Sequence, residues 1–168
     1  MRRAAALAAV VVVVAAGLAA LLLAFTARDD AEIDAGAAPA GPGALQADRG
    51  SGHDRPAAAG ELPTSGPHRP DLVMRDRREL TNDQLLHALE LGDVVIAYGP
   101  AEPPAALVRL QRAVAGPFDA EVAAAGQAVI LMRRPGLDAP VALAWRRTQG
   151  GGTAALRAFA EAWLGRGA

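Results

Sequence analysis

Leu80-Thr81-Asn82-Asp83-Gln84-Leu85-Leu86-His87-Ala88-Leu89-Glu90-Leu91-Gly92-Asp93-Val94-Val95-Ile96-Ala97-Tyr98-Gly99-Pro100 reads as helix, stop and strand, and this stretch decides what kind of domain the chain forms. Thr81 and Gln84 stand three apart, as in a Thr-x-x-Gln capping box. Asp83 falls in the first turn, where a carboxylate faces the positive end of the helix dipole. Gly92 supplies the left-handed residue that ends such a helix, so the spacing predicts a helix over Asn82 to Leu91. Stepping at 100° per residue puts Leu85, Leu86 and Leu89 on one face and His87, Glu90 and Leu91 on the other. Val94 to Tyr98 has no polar alternation, which is the pattern of a strand buried on both faces and therefore central in its sheet.

Downstream of that unit, Pro103 and Pro104 suit the first turn of a helix whose Leu107, Leu110 and Val114 share a face, stopped by Gly116-Pro117. Ala128 to Arg133 and Val141 to Arg147 read as two strands of a hairpin joined by Pro135-Gly136-Leu137-Asp138-Ala139-Pro140. Thr153 is expected to cap a last helix, with Leu156, Phe159, Ala160 and Trp163 at helical spacing on its core side. The order helix, strand, helix, strand, strand, helix implies an α+β domain: a small sandwich of a three- to four-stranded sheet with covering helices.

Upstream the chain changes character. Ala4 to Phe25 is a run of 22 residues without a charge, set behind Arg2 and Arg3. As a helix it is about 33 Å long, enough for a hydrocarbon core of roughly 30 Å. Its Val, Leu and Phe residues favour insertion by about −3 to −6 kcal/mol. A cleaved secretory signal is the competing reading, but the run is long for one and Ala24-Phe25-Thr26-Ala27 is a poor cleavage site. Arginines on the leading side hold the N-terminus in the cytoplasm. The expectation is a single-pass plasma-membrane protein, with residues 1–28 as anchor and residues 62–168 as the extracytoplasmic domain. Residues 29–61, rich in Ala, Gly, Pro and Asp, are expected to form a disordered linker in which His53 is a solvated bystander. Without Arg2 and Arg3 the chain has 15 arginines against 18 acidic residues, a balance of −3, so nucleic acid is not an expected partner. Cysteine is absent, which removes disulfides and thiol chemistry.

Two further elements stand out together: Leu62-Pro63-Thr64-Ser65-Gly66-Pro67-His68 and, 19 residues after His68, His87-Ala88-Leu89-Glu90-Leu91-Gly92. With the strand ending at Tyr98 and the later Ala144-Trp145, this part of the chain resembles the domain-of-unknown-function 3105 family. Members of that family look like single-pass anchored bacterial proteins carrying Pro-Pro-Thr-Ser-Gly-Pro-His and His-x-Leu-Glu-His-Gly. The resemblance spans about Leu62 to the C-terminus and implies no biochemical activity. Leu62 replaces the first Pro of the family pattern, and Leu91 replaces its second His. The strand, Gly-Pro and helix order after Val94 is also similar to that of thioredoxin-like proteins, whose redox pair is ruled out here for want of cysteine.

Residues at i, i+3 and i+4 of a helix project from one side, so the family pattern places two imidazoles and a carboxylate together. With Leu91 the second imidazole is lost and a zinc-peptidase site of the His-x-x-Glu-His type cannot be assembled. His68 can replace it, which makes His68, His87 and Glu90 the candidate ligands for zinc or copper, with Met74 or Met132 joining if the metal is copper(I). In the alternative, Glu90 accepts a hydrogen bond from His87 and His68 braces the Thr64-Ser65-Gly66-Pro67 turn through its backbone. Ser65 beside His68 lacks the oriented base and oxyanion hole of a hydrolase. Gly150-Gly151-Gly152 before the last helix reads as a flexible connection rather than an anion site. No complete catalytic set is present. The first functional expectation is thus a non-catalytic, membrane-anchored module that binds an unknown protein partner or shapes an assembly, and the second is an extracytoplasmic metal-binding domain.

Overall fold

The computed structural model describes residues 40–59 and 61–168. Its elements run β1 (Ala44–Leu45), α1 (Asn82–Leu91), β2 (Val94–Tyr98), α2 (Ala105–Val114), α3 (Ala120–Ala124), β3 (Val129–Arg133), β4 (Val141–Ala144), β5 (Arg147–Gly150) and α4 (Thr153–Trp163). The fold is α+β, with a mixed five-stranded sheet in the order β1-β5-β4-β2-β3 and four helices among the described residues. The expected anchor, residues 4–25, lies outside the described residues. Among those described, no helix is long and apolar enough to cross a membrane.

The helix and strand read from residues 80–100 have their expected bounds. Gln84 N–H donates to Thr81 Oγ1 at 3.1 Å and Thr81 N–H to Gln84 Oε1 at 3.2 Å, which completes the capping box. Gly92 ends the helix at φ 116° and sends its N–H back to the Ala88 and Leu89 carbonyls. Glu90 O takes a bond from Ala168 N–H at 3.0 Å, so the C-terminal residues satisfy part of the last turn of α1. β2 is buried along its whole length because β3 pairs with it in parallel on one side and β4 antiparallel on the other.

The period-2 geometry of β2 divides the core. Val94, Ile96 and Tyr98 face α2 and α4, packing with Leu107, Leu110, Leu156, Phe159 and Trp163. Val95 and Ala97 face the other layer, with Leu85 and Leu89 of α1, Ala123 of α3, and Ile130 and Leu143. Leu89, at 0 % exposure, contributes about 1.5–3 kcal/mol by burial alone. β2 and β3 run parallel and are joined through α2 and α3, and antiparallel β4, β5 and then α4 follow.

Several expectations change. The sheet has five strands, not three or four. Residues 129–133 and 141–144 do not form a hairpin, because β2 lies between them. The hairpin joins β4 to β5 instead, turning at Trp145-Arg146 with Arg146 at φ 57°. A left-handed residue is normally Gly or Asn, so an arginine there carries no turn signal. Thr153 is the first residue of α4, and Gly152 is its N-cap without a side-chain bond. Asp119 caps the unforeseen α3 through Glu121 N–H at 2.8 Å and Val122 N–H at 3.2 Å.

The disordered linker expected over residues 29–61 gives way in its second half, where the compact unit begins at Gly41. Ala44–Leu45 pair with Arg147–Thr148 at the sheet edge, and Trp163 Nε1–H donates to Pro42 O at 2.8 Å. Residues 42–45 make these contacts through their backbone groups, which is why no apolar periodicity announces them.

Asp93, 1 % exposed, joins two elements: its Oδ1 accepts Ala128 N–H at 2.8 Å while its own N–H donates to Ala88 O at 2.9 Å. Burial pushes its carboxyl up to about 7, against a smaller opposing pull from the Ala128 N–H. Between the ordinary value of 3.8 and 7 the folded chain holds a proton that the unfolded chain has released, so stability falls as pH rises through that window. Asp93→Asn is expected to flatten this slope and to unfold at higher urea than the wild type at pH 8, by on the order of 1–3 kcal/mol. Parallel urea midpoints for the two proteins between pH 4 and pH 8 contradict the assignment.

Candidate metal centre

The loop from Pro63 to His68 sits under the segment that precedes it. Thr64 O accepts Arg146 N–H at 2.8 Å, and Ser65 Oγ both donates to Ala47 O and accepts from Arg49 N–H, each at 3.0 Å. Both of those side chains are buried. The Ser65 hydroxyl is therefore a structural bridge, and the nucleophile reading is closed. Past Gly66 and Pro67 the chain turns His68 inward to 0 % exposure. Gly66 N–H donates to Gly50 O at 2.7 Å and His68 N–H to Gly52 O at 2.8 Å, so residues 50–52 lie alongside residues 66–68.

That pairing carries His53 into the site, which corrects its reading as a bystander. His53, His68, His87 and Glu90 each offer a ligand atom, and the four atoms lie within 4.8 Å of one another. Glu90 Oε2 is the common point: it stands 2.7 Å from His53 Nε2, 3.3 Å from His68 Nε2 and 3.8 Å from His87 Nδ1. The ring centroids of His53 and His68 are 4.9 Å apart, and those of His68 and His87 are 5.7 Å apart. The three residues expected as ligands, His68, His87 and Glu90, are thus brought together. The missing imidazole comes from His53 and not from the position of Leu91. Leu89 of the motif is in the core, Gly92 is the helix cap, and Met132 is buried in the sheet, while Met74 is 66 % exposed on its loop.

Protonation is set by the surroundings. A carbonyl only accepts, so the 3.0 Å contact from His68 Nδ1 to Gly66 O fixes the proton on Nδ1 and turns the lone pair of Nε2 into the cluster. Neither His68 Nε2 nor His87 Nδ1, both buried, has a hydrogen-bond partner. Burial holds the His87 imidazole below its ordinary value, helped by the neighbouring His68 and opposed by Glu90, which favours the neutral ring that metals bind. Behind the site, Asp83 Oδ1 accepts Arg69 N–H at 2.9 Å and Ala57 N–H at 2.7 Å, and these two bonds lower its pKa.

Three imidazole nitrogens and one carboxylate oxygen form a ligand set suited to zinc or copper(II). Cysteine is absent, so no thiolate is available to the group. Only a sequence signal tying His53 to residues 66–68 could have identified the fourth ligand, and backbone pairing between Gly50, Gly52, Gly66 and His68 leaves none. Leu91→Ala is expected to leave zinc affinity within about threefold, since Leu91 is not among the four residues that offer a ligand atom. A tenfold loss in a competition titration contradicts that.

No curated protein and no solved structure matches the chain. Residues 57–162, which include His68, His87 and Glu90 but not His53, match the family described as Protein of unknown function (DUF3105). The chain therefore belongs to the DUF3105 family.

Proposed function

We propose that this protein is a membrane-tethered metal-binding module that holds a divalent cation, zinc or copper(II), between His53, His68, His87 and Glu90. The observation that carries the reading is His68: a wholly buried ring with one nitrogen committed to a carbonyl and the other directed, without a partner, at a carboxylate and two imidazoles. Leaving such a nitrogen unpaired in the interior costs about 1–3 kcal/mol, which a bound cation removes. Four protein donors leave no open coordination position, so the site suits retention or delivery of an ion rather than metal-assisted hydrolysis. This places metal binding ahead of a pure assembly module, for which the exposed apolar side chains Leu45, Leu72, Met74 and Val122 are spread over β1, the 69–75 loop and α3.

The tether is part of the same proposal. Residues 4–25 cross the plasma membrane once, the N-terminus is cytoplasmic and the domain is extracytoplasmic, where a protein partner receives or supplies the ion. The length and apolarity of the run and the leading arginines support this. Resistance to carbonate washing and digestion of the domain by external protease in spheroplasts are the expected results, and a soluble cytosolic chain refutes it. For the metal, the full chain in detergent is titrated with zinc and with copper(II). One ion per chain with a Kd below about 1 μM is expected, weakened tenfold or more in His87→Ala. An absence of saturable heat removes the reading.

A further inference from the structure

We infer that metal binding latches the strap formed by residues 46–59 over the loop carrying His68, so that the ion controls whether this part of the domain is closed. The inference rests on the metal reading above and concerns what the ion regulates there.

The strap is held almost entirely by polar contacts. Arg49 N–H and Ala47 O meet the Ser65 hydroxyl, the carbonyls of Gly50 and Gly52 take the N–H groups of Gly66 and His68, and Ala57 N–H reaches Asp83. Asn82 Nδ2–H donates to Ala58 O at 2.6 Å. From Ala47 to Ala59 every residue is exposed except the half-buried Ala57, and none belongs to either apolar core. Each such hydrogen bond contributes about 0.5–1.5 kcal/mol net, while ordering one residue costs about 1–2 kcal/mol. The bonds alone therefore do not hold the strap firmly, and it belongs to the low-stability end of the domain.

His53 is the strap's one donor to the ligand set, and it remains 46 % exposed at the outer side while His68 is fully covered. An ion bound by His68, His87 and Glu90 gains a fourth ligand only when the strap is down. Occupancy and closure then favour each other by the same factor, as linkage requires. With the strap open, three donors remain on the rigid part and the ion exchanges readily. With it closed, the buried loop from Thr64 to His68 is covered and the ion is retained.

Hydrogen exchange on the full chain in detergent, with and without saturating zinc, tests this. Expected is at least tenfold slower exchange with zinc for the amides of Arg49, Ala57, Gly66 and His68, with Ile96 and Leu131 in the sheet unchanged. In an independent assay, trypsin should cut Arg49–Gly50 in the zinc-free chain and spare it in the zinc-bound one, since Arg55 is shielded by the following Pro56. His53→Ala should still bind zinc, about tenfold or more weakly, yet lose all zinc-dependent protection of the strap. Zinc uptake that leaves strap exchange unchanged, or full zinc-dependent protection in His53→Ala, overturns the latch while leaving the metal site standing. A chain that takes up no zinc in the titration overturns both.

Discussion

His68→Ala is expected to lower the zinc affinity of the full chain at least about a hundredfold, more than removal of any other ligand, because His68 is the only fully buried ring of the set. Its Nδ1–H bond to Gly66 O fixes both tautomer and ring angle, so the lone pair is already aimed and little ordering is needed on binding. Losing the ring also leaves a cavity and an unpaired Gly66 carbonyl, at about 1–3 kcal/mol in the metal-free state. Two readouts separate these effects. Zinc held near the wild-type Kd should raise the melting temperature of the wild type far more than that of His68→Ala, whereas the metal-free proteins differ by the cavity and the unpaired carbonyl. Equal zinc-induced stabilisation in both excludes His68 as a ligand.

The second large effect is at Gly126. This residue follows α3 at φ +69°, and a Cβ built there overlaps the carbonyl oxygen of Leu91 in the last turn of α1. Backbone, unlike a flexible side chain, cannot swing aside. Gly126→Ala combines the left-handed penalty of an L-residue with displacement of either the Leu91 carbonyl or the α3–β3 connection. A loss of about 3 kcal/mol in urea unfolding is expected. Because Glu90 directly precedes Leu91, the shift also reaches the carboxylate on which the three imidazoles converge, so zinc affinity should fall with stability. A destabilisation under about 0.5 kcal/mol shows that the α1 terminus and the turn can separate freely.

Fold and site were legible to different degrees. The α1–β2 unit was readable because a capping box, a glycine stop and a β-branched run are local: each residue's preference is expressed through neighbours three or four positions away. The last helix was readable for the same reason, since Leu156, Phe159, Ala160 and Trp163 all face the core as their spacing required. Strand order was not. Whether β3 pairs with β4 or lets β2 in between depends on how α2 packs across the sheet, and continuous apolar runs are equally satisfied by both pairings. The five-residue α3 is too short for periodicity to reveal, although Asp119 was a usable cap signal.

Amino-acid order by itself determined that His87 and Glu90 share a helix face, that His68 closes a tight Thr-Ser-Gly-Pro turn, and that no thiol is present. Helical repeat and residue type suffice for those statements. Tertiary structure alone brought His53 to the group that His68, His87 and Glu90 form. His53 lies 37 positions from Glu90 in a stretch with no apolar signal, and it reaches the carboxylate because Gly50 and Gly52 offer their carbonyls to the amides of Gly66 and His68. Backbone hydrogen bonds are nearly indifferent to side-chain identity, so a segment positioned by them leaves no pattern in the sequence.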